Sequence, residues 1–363
     1  MAERHSLSIP LPQQLQAAIA AAGGWLPFDR FMALALYAPA QGYYSRGDRQ
    51  IGRMPSSGSD FVTAPELSPL FGATLAVQVA QALQATGTDE VWEFGAGTGA
   101  LAAQLLGSLA GAVRRYHIVD LSGTLAARQR ERLAAWGERV VWHATWPETM
   151  AGVVVGNEVL DAMPVQLLHW DGRAWSERGV VVAGEGFDWA DRPTALRPPV
   201  ETGFLPGTVT EIHPQAEAFV RTLAARLQRG AAFFIDYGFP EHEYYHPQRL
   251  GGTLMCHRAH QADTDPLADP GAKDITAHVN FSGVALAAQD AGMTVLGYTS
   301  QARFLLNCGI VQRLEGADLA TRAMAQKLFQ EHEMGELFKV IGWAPGDRFD
   351  AVGFAEGDRS HRL

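Results

Sequence analysis

The sequence predicts an α/β protein organised around a mainly parallel Rossmann-type sheet, with an N-terminal helical cap and β-rich insertions. Three observations predict it. Short apolar runs alternate with stretches of helical periodicity from Val91 onward, the pattern of repeated βα units that buries a parallel sheet beneath helices on both faces. The first run, Val91-Trp92-Glu93-Phe94, passes at once into Gly95-Ala96-Gly97-Thr98-Gly99 and then into the helical pattern of Ala100 to Leu106. An Asp-Gly turn between two apolar runs and several polar, Gly- and Pro-punctuated stretches mark the insertions.

The elements follow in order. Leu11 to Ala22 and Phe28 to Tyr37 carry apolar residues at helical spacing and stop at Gly23-Gly24 and Pro39. With the glycine-rich, polar stretch from Gly42 to Glu66 and the amphipathic run Ser68 to Leu83, they make residues 1–85 a helical cap with a closing loop. The core is expected over 86–165 and 205–363. Its strands are Val91 to Phe94, Tyr116 to Asp120, Val140 to His143, Val153 to Val155, Ala232 to Asp236, Met293 to Tyr298 and Phe349 to Phe354, with a helix near Leu125 to Ala135. Leu167 to Trp170, the Asp171-Gly172 turn and Ala174-Trp175 read as a hairpin, which Val180 to Val182 extend into a small β insertion over 166–204. A second inserted region, near 239–277, is too polar to be buried and too long to be a simple connector.

Composition restricts the function classes. At 363 residues and 47% hydrophobic the chain buries a large core, and no stretch reaches 18 uninterrupted apolar residues, so no membrane span is expected. The start, Met1-Ala2-Glu3-Arg4-His5, lacks a basic segment followed by an apolar one, and Cys256 and Cys308 are too few for a disulfide framework. Both features point to a cytoplasmic protein. A net charge of -10 gives no field for nucleic acid and draws cations in. The scattered His242, His246, His257 and His260 match no common ligand spacing, so no metal is expected.

The glycine loop is the strongest chemical signal. Glycines there let a ligand approach the backbone, and the following helix start presents free N–H groups. Gly95-x-Gly97-x-x-Ala100 satisfies a loose dinucleotide fingerprint, and Asp120 closes the next strand where a ribose-binding acid belongs. Nicotinamide dinucleotide and S-adenosylmethionine therefore both fit. Glu93 favours the second, because a carboxylate there repels a pyrophosphate and attracts the ammonium end of S-adenosylmethionine.

A second motif, Asn157-Glu158-Val159-Leu160-Asp161-Ala162-Met163-Pro164, follows the valine run. If helical, it places Glu158 and Asp161 on one face, where two carboxylates suit a guanidinium or ammonium. The plain alternative is a helix start, with Asn157 as cap and Glu158 complementing the dipole. In Asp274-x-Thr276-x-His278, strand alternation puts all three on one face, so that a carboxylate could orient the imidazole of His278.

Taken together, Gly42-Tyr43-Tyr44, Asp60 to Glu66, Glu93 to Gly99, Asn157 to Pro164, Asp236-Tyr237-Gly238 and Asp274 to Phe281 resemble the MidA family over nearly the whole chain. That family includes the mitochondrial assembly methyltransferase of respiratory complex I. The resemblance implies a class I methyltransferase-like Rossmann sheet with insertions, S-adenosylmethionine as cofactor, and methylation of arginine in a protein substrate. In the mitochondrial branch it implies symmetric dimethylation of a complex I subunit. Two departures stand out: Asn280 where the family usually has aspartate, and a long loop from Arg46 to Ser59.

On this reading Glu93, Gly95, Gly97 and Gly99 hold the methionine end of the methyl donor, and Asp120 takes the ribose hydroxyls. Thr145 and Trp146 offer an edge and a face to adenine, and Thr63 and Glu66 close over the donor. Asn157, Glu158, Asp161 and His278 are the candidate catalytic residues, with Glu158 as proton acceptor and His278 as the other candidate for handling the proton. A small-molecule methyltransferase, and a donor-binding assembly factor with little catalysis, share the same cofactor residues; a homodimer is compatible with any of these.

Overall fold

The computed structural model describes residues 9–46, 62–120, 123–201, 203–258 and 261–363. They fall into two compact units. One comprises Met1–Asp48, Pro164–Ile212 and Tyr245–Ala277, the other Arg49–Met163, His213–Tyr244 and His278–Leu363.

The larger unit carries the sheet. In chain order it runs α1 (Ala64–Leu67), α2 (Pro69–Thr86), β1 (Glu90–Phe94), α3 (Ala100–Leu109), β2 (Arg115–Val119), α4 (Gly123–Arg132), β3 (Val140–His143) and β4 (Met150–Asn157). It continues with α5 (Pro214–Arg226), β5 (Leu227–Phe239), β6 (Val279–Asn280), α6 (Phe281–Asp290), β7 (Met293–Ser300), three further helices between Gln301 and Phe329, and β8 (Phe338–Pro345). Strand order is β7-β8-β5-β4-β1-β2-β3, parallel from β3 through β5 and antiparallel at β8, while β6 pairs with the end of β5. Val153, Val154 and Val155 in the middle of β4 have no exposure at all. Such a strand, covered on both faces, reads as a continuous apolar run, and each valine contributes roughly 1.5–3 kcal/mol by burial.

The register brings four strand ends together. Phe94 pairs with Val119 and Gly156, and Val119 with His143, so β1, β2, β3 and β4 finish side by side, while β5, whose Ile235 pairs with Asn157, runs on to Phe239. Residues just past those ends share the carboxyl edge of the sheet, where ligands bind in open α/β folds.

Three expectations need correction. Residues 352–354 form a short 3₁₀ turn, and the last strand is Phe338–Pro345 instead of Phe349 to Phe354. Phe354 is used as a plug: a Cβ on Gly297 of β7 would lie 2.2 Å from its side chain. Residues 1–85 are not one cap, because α2 packs along α3 and groups with the sheet. Ser68 caps α2 by accepting from Leu70 N–H, Pro69 opens it, and Gly87 closes it in the left-handed region at φ +60°. Finally, Thr208–Ile212, expected in the core, pairs with Gln166–Trp170 in the smaller unit.

That smaller unit is an antiparallel sheet in the order Leu26–Pro27, Trp175–Ala183, Gln166–Trp170 and Thr208–Ile212, with Gly186–Pro193 added on Trp175–Ala183. The hairpin turn is held by the Asp171 carboxylate, which accepts from the backbone N–H groups of Arg173 and Ala174 at 2.7 Å each. Helices Leu11–Ala21 and Phe28–Tyr37 belong to this unit, as does a three-stranded sheet formed by Met255–Arg258, Gln261–Asp263 and Asp274–Thr276. The buried Glu211 carboxylate ties Thr253 and Leu254 to the larger of its sheets through their backbone N–H groups.

Candidate active site

Two loops occupy the carboxyl edge. The first follows β1. Gly95, Gly97 and Gly99 all have positive φ, at +63°, +53° and +81°. A side chain on Gly95 would press on Val159 at 3.1 Å, whereas one on Gly97 would meet nothing within 4 Å, so the loop is open on that side. Here glycine's freedom decides the geometry, because L side chains rarely adopt these angles.

The loop is braced from three directions. Gln129 of α4, fully buried, donates both to the Gly97 carbonyl (2.9 Å) and to the Asp120 carboxylate (2.8 Å), and Trp142 donates to its Oε1 at 3.1 Å. The carboxylate of Glu66 in α1 bonds the hydroxyl of Thr98, and Arg132 donates to both at 2.7 Å. Gln104 of α3 ties the same segment down by donating to the Pro65 carbonyl at 2.6 Å. Thr63 precedes α1 and gives its carbonyl to the N–H groups of Glu66 and Leu67. Residues 47–61, which include Asp60, Phe61 and the Arg46 to Ser59 loop after Arg46 itself, lie outside the described residues.

Glu93 sits beneath this loop, buried, with the Tyr116 hydroxyl donating to it at 2.6 Å. Burial and the charge of Asp120 raise its pKa to about 8, against the pull of the Tyr116 hydrogen bond. Past β3, Thr145 is exposed, and Trp146 packs on Phe94 (4.6 Å between ring centroids) and Phe219 (5.0 Å). Trp146 therefore has a core role whatever else it contacts.

The second loop follows β4 and departs from the expected helix. Residues 158–163 form a turn, in which Glu158 adopts φ +53°. A glutamate in the left-handed region is strained, and such strain persists only where the surroundings impose it. Here the cause is Asp236, at the end of the apolar run of β5. One of its oxygens accepts from the backbone N–H groups of Val159 (3.1 Å), Leu160 (2.9 Å) and Asp161 (3.3 Å), while the other takes that of Tyr237 (3.0 Å). The Glu158 N–H is itself tied to the Ile235 carbonyl at 2.9 Å. Neither the shared helical face nor the helix-cap alternative survives this geometry.

Side chains around the turn are predominantly acidic. Asn157 Nδ2 donates to Glu158 at 2.9 Å, and the Tyr237 hydroxyl donates to Asp161 at 2.5 Å. Burial raises the pKa of Asp161 to about 6. Asp236 is pushed well above the carboxylate range by burial and by the charges of Asp161 and Glu158, with its backbone donors opposing. Asn157 Oδ1 and Asp161 Oδ1 are buried with no hydrogen-bond partner among the described residues. His278 stacks on Phe239 and meets the edge of Tyr237 at 5.0 Å. The extended run breaks after Thr276, so alternation does not carry through to His278; Asp274 accepts the Tyr44 hydroxyl at 2.8 Å instead. Asn280 caps α6 by accepting from Gly283 N–H, a task an amide performs as well as a carboxylate.

Sequence reasoning missed Gln129, Tyr116, Arg132 and the role of Asp236. Gln129 left a signal, a polar residue between Leu125 and Leu133 in an apolar stripe at helical spacing. Asp236 left one too, ending an apolar run as Asp120 does.

The comparisons with known proteins agree with this geometry. Residues 74–299 match a family of S-adenosyl-L-methionine-dependent methyltransferases. The chain belongs to that family. A superfamily member from Burkholderia thailandensis, assigned as a methyl transferase and solved with S-adenosyl-homocysteine bound, is 55% identical; 97% of this chain and 96% of that one superpose with a TM-score of 0.93. Curated relatives include the protein arginine methyltransferase NDUFAF7 of Danio rerio, 28% identical over 88% of this chain and 83% of its own length. Its Caenorhabditis elegans homologue is 26% identical over 80% and 74%. The chain is a methyltransferase that uses S-adenosylmethionine, which removes the nicotinamide alternative. The expected cytoplasmic location does not stand, since both curated relatives are named as mitochondrial proteins. Among the described residues, no helix is long and apolar enough to cross a membrane.

The first loop fits the methyl donor on its own terms. It is open at Gly97, and has Asp120 part-exposed at one end and Glu93 beneath it.

Proposed function

We propose that the chain methylates arginine in a protein substrate, a respiratory complex I subunit, as an assembly step. The arginine assignment draws on the names of the curated relatives and on one observation: an acidic turn in which Asn157 and Asp236 hold Glu158 in a strained conformation beside Asp161. Two buried oxygens there lack partners among the described residues, and a guanidinium brings five N–H donors.

S-adenosylmethionine supplies an activated methyl group. Backbone at Gly95, Gly97 and Gly99 with Glu93 would hold its methionine end, Asp120 the ribose, and Thr145 with Trp146 the adenine. Thr63 and Glu66 would serve by keeping α1 latched on the loop through Thr98 and Arg132. Glu158 and Asp161 would hold the guanidinium so that one nitrogen faces the methyl carbon; as the N–C bond forms and the S–C bond breaks, the proton on that nitrogen passes to Glu158. His278, beside Tyr237, would take the proton onward.

The test uses methyl-tritiated S-adenosylmethionine and a protein extract from cells lacking this protein. After acid hydrolysis the label should run with methylated arginines, in one band of complex I subunit size. Label on lysine, on a carboxylate or in small molecules would replace the arginine reading.

A further inference from the structure

Asp236 touches no surface a substrate would reach, being 1% exposed, and neither the methyl transfer nor the proton transfer assigned to the site uses it. Its environment is unusual for a structural carboxylate. It sits between two further acids, and three consecutive N–H groups converge on one of its oxygens, the arrangement in which backbone normally grips an anionic ligand. Here the acceptor is internal, delivered by the neighbouring strand about 75 residues later.

A consequence follows from that contact. The N–H groups of 159–161 can converge only if the chain reverses at residue 158, so the contact imposes the left-handed φ of Glu158. Burial, and then the charges of the nearby Asp161 and Glu158, raise the pKa of Asp236 well above the carboxylate range, so it contributes the shape of the turn and no fixed negative charge.

We propose that Asp236 is a positioning residue for methyl transfer: by filling the backbone cradle of Val159, Leu160 and Asp161 it sets the turn that aims Glu158. This rests on Glu158 being the proton acceptor. Lys339 lies opposite Asp236 in the β5–β8 register, and its Nζ donates to the carbonyls of Glu336 and Leu337. The Tyr237 hydroxyl goes to Asp161, and His278 packs against the Tyr237 ring.

The experiment measures tritiated-methyl transfer to the same extract against pH for wild type, Asp236→Asn, Glu158→Gln and the double variant, with S-adenosylhomocysteine affinity as a control. In Asp236→Asn, whose side chain has one acceptor oxygen in place of two, the transfer rate should fall roughly tenfold across the pH range, with donor-site affinity unchanged. In the Glu158→Gln background, Asp236→Asn should cost little more, since it acts through a base already gone. Additive losses in the double variant would overturn the proposal and leave Asp236 a packing residue. Asp236→Glu, which keeps the carboxyl group and displaces it, should also lose rate; wild-type rate there overturns the proposal even if the Asn variant does not fold. If Glu158→Gln itself transfers normally, it is the Glu158 assignment that fails.

Discussion

The loops after β1 and β4 make the same backbone move with opposite means. Each leaves a parallel strand and enters positive φ at once, at Gly95 in the first and Glu158 in the second. The first uses glycines, so the conformation costs little strain and the space over the loop stays clear for a ligand. The second accepts strain in a charged residue and stabilises it with the Asp236 carboxylate. The difference separates two tasks: one loop is shaped by what it lacks, the other by the side chain it must present.

Opposite substitutions should therefore split the two loops. Glu158→Gly relieves the left-handed strain and should leave the fold equally stable or up to about 1 kcal/mol more so, while transfer falls by roughly 100-fold or more. Denaturant midpoint and tritiated transfer read both effects; lost stability together with retained transfer would break the comparison. On the first loop, Asp120→Ala should weaken S-adenosylhomocysteine binding by about 1–3 kcal/mol in calorimetric titration, through lost charged hydrogen bonds. Gly97→Ala meets no protein atom but must hold φ +53°, so it should cost about 1 kcal/mol of stability and, independently, about tenfold in affinity for the same ligand. Gly95→Val is less informative, because it also presses on Val159.

The smallest effect concerns Glu93. With a folded pKa near 8 against an ordinary 4.5, the folded state binds the extra proton between those values, so this residue's contribution to stability is full below 4.5 and declines as pH rises toward 8. A cation laid beside it favours the ionised form. Binding of S-adenosylhomocysteine, whose ammonium is retained, should release a fraction of a proton near pH 7 and tighten as pH rises, a dependence that Glu93→Gln should reduce. Titration in two buffers of different ionisation heat measures the release, and equal release in wild type and variant would place the ammonium elsewhere.

Much of the sheet and of the first loop was legible because their signals are local. An apolar run, an acid and a glycine turn sit within ten residues, and the Asp171-Gly172 hairpin is equally short-range. The second loop was legible in composition and misread in shape: the Asn157 to Asp161 spacing suits a helix, and what forbids one is Asp236, about 75 residues further on. The last strand was missed because Lys339 interrupts its apolar pattern near the start; that lysine is buried only because carbonyls at 336 and 337 receive it. The two-unit division escaped notice because three separated segments assemble the smaller one.

In the proposed mechanism Glu158 is the base that takes the proton, and the acceptor chemistry depends on it. The most direct test is single-turnover methyl transfer from saturating S-adenosylmethionine to the protein labelled in the extract assay, comparing wild type with Glu158→Gln. The expected result is unchanged S-adenosylhomocysteine affinity and transfer slower by roughly 100-fold or more in the variant, since Gln keeps the shape and loses the charge. Transfer at the wild-type rate would contradict the assignment and make His278 the next residue to test.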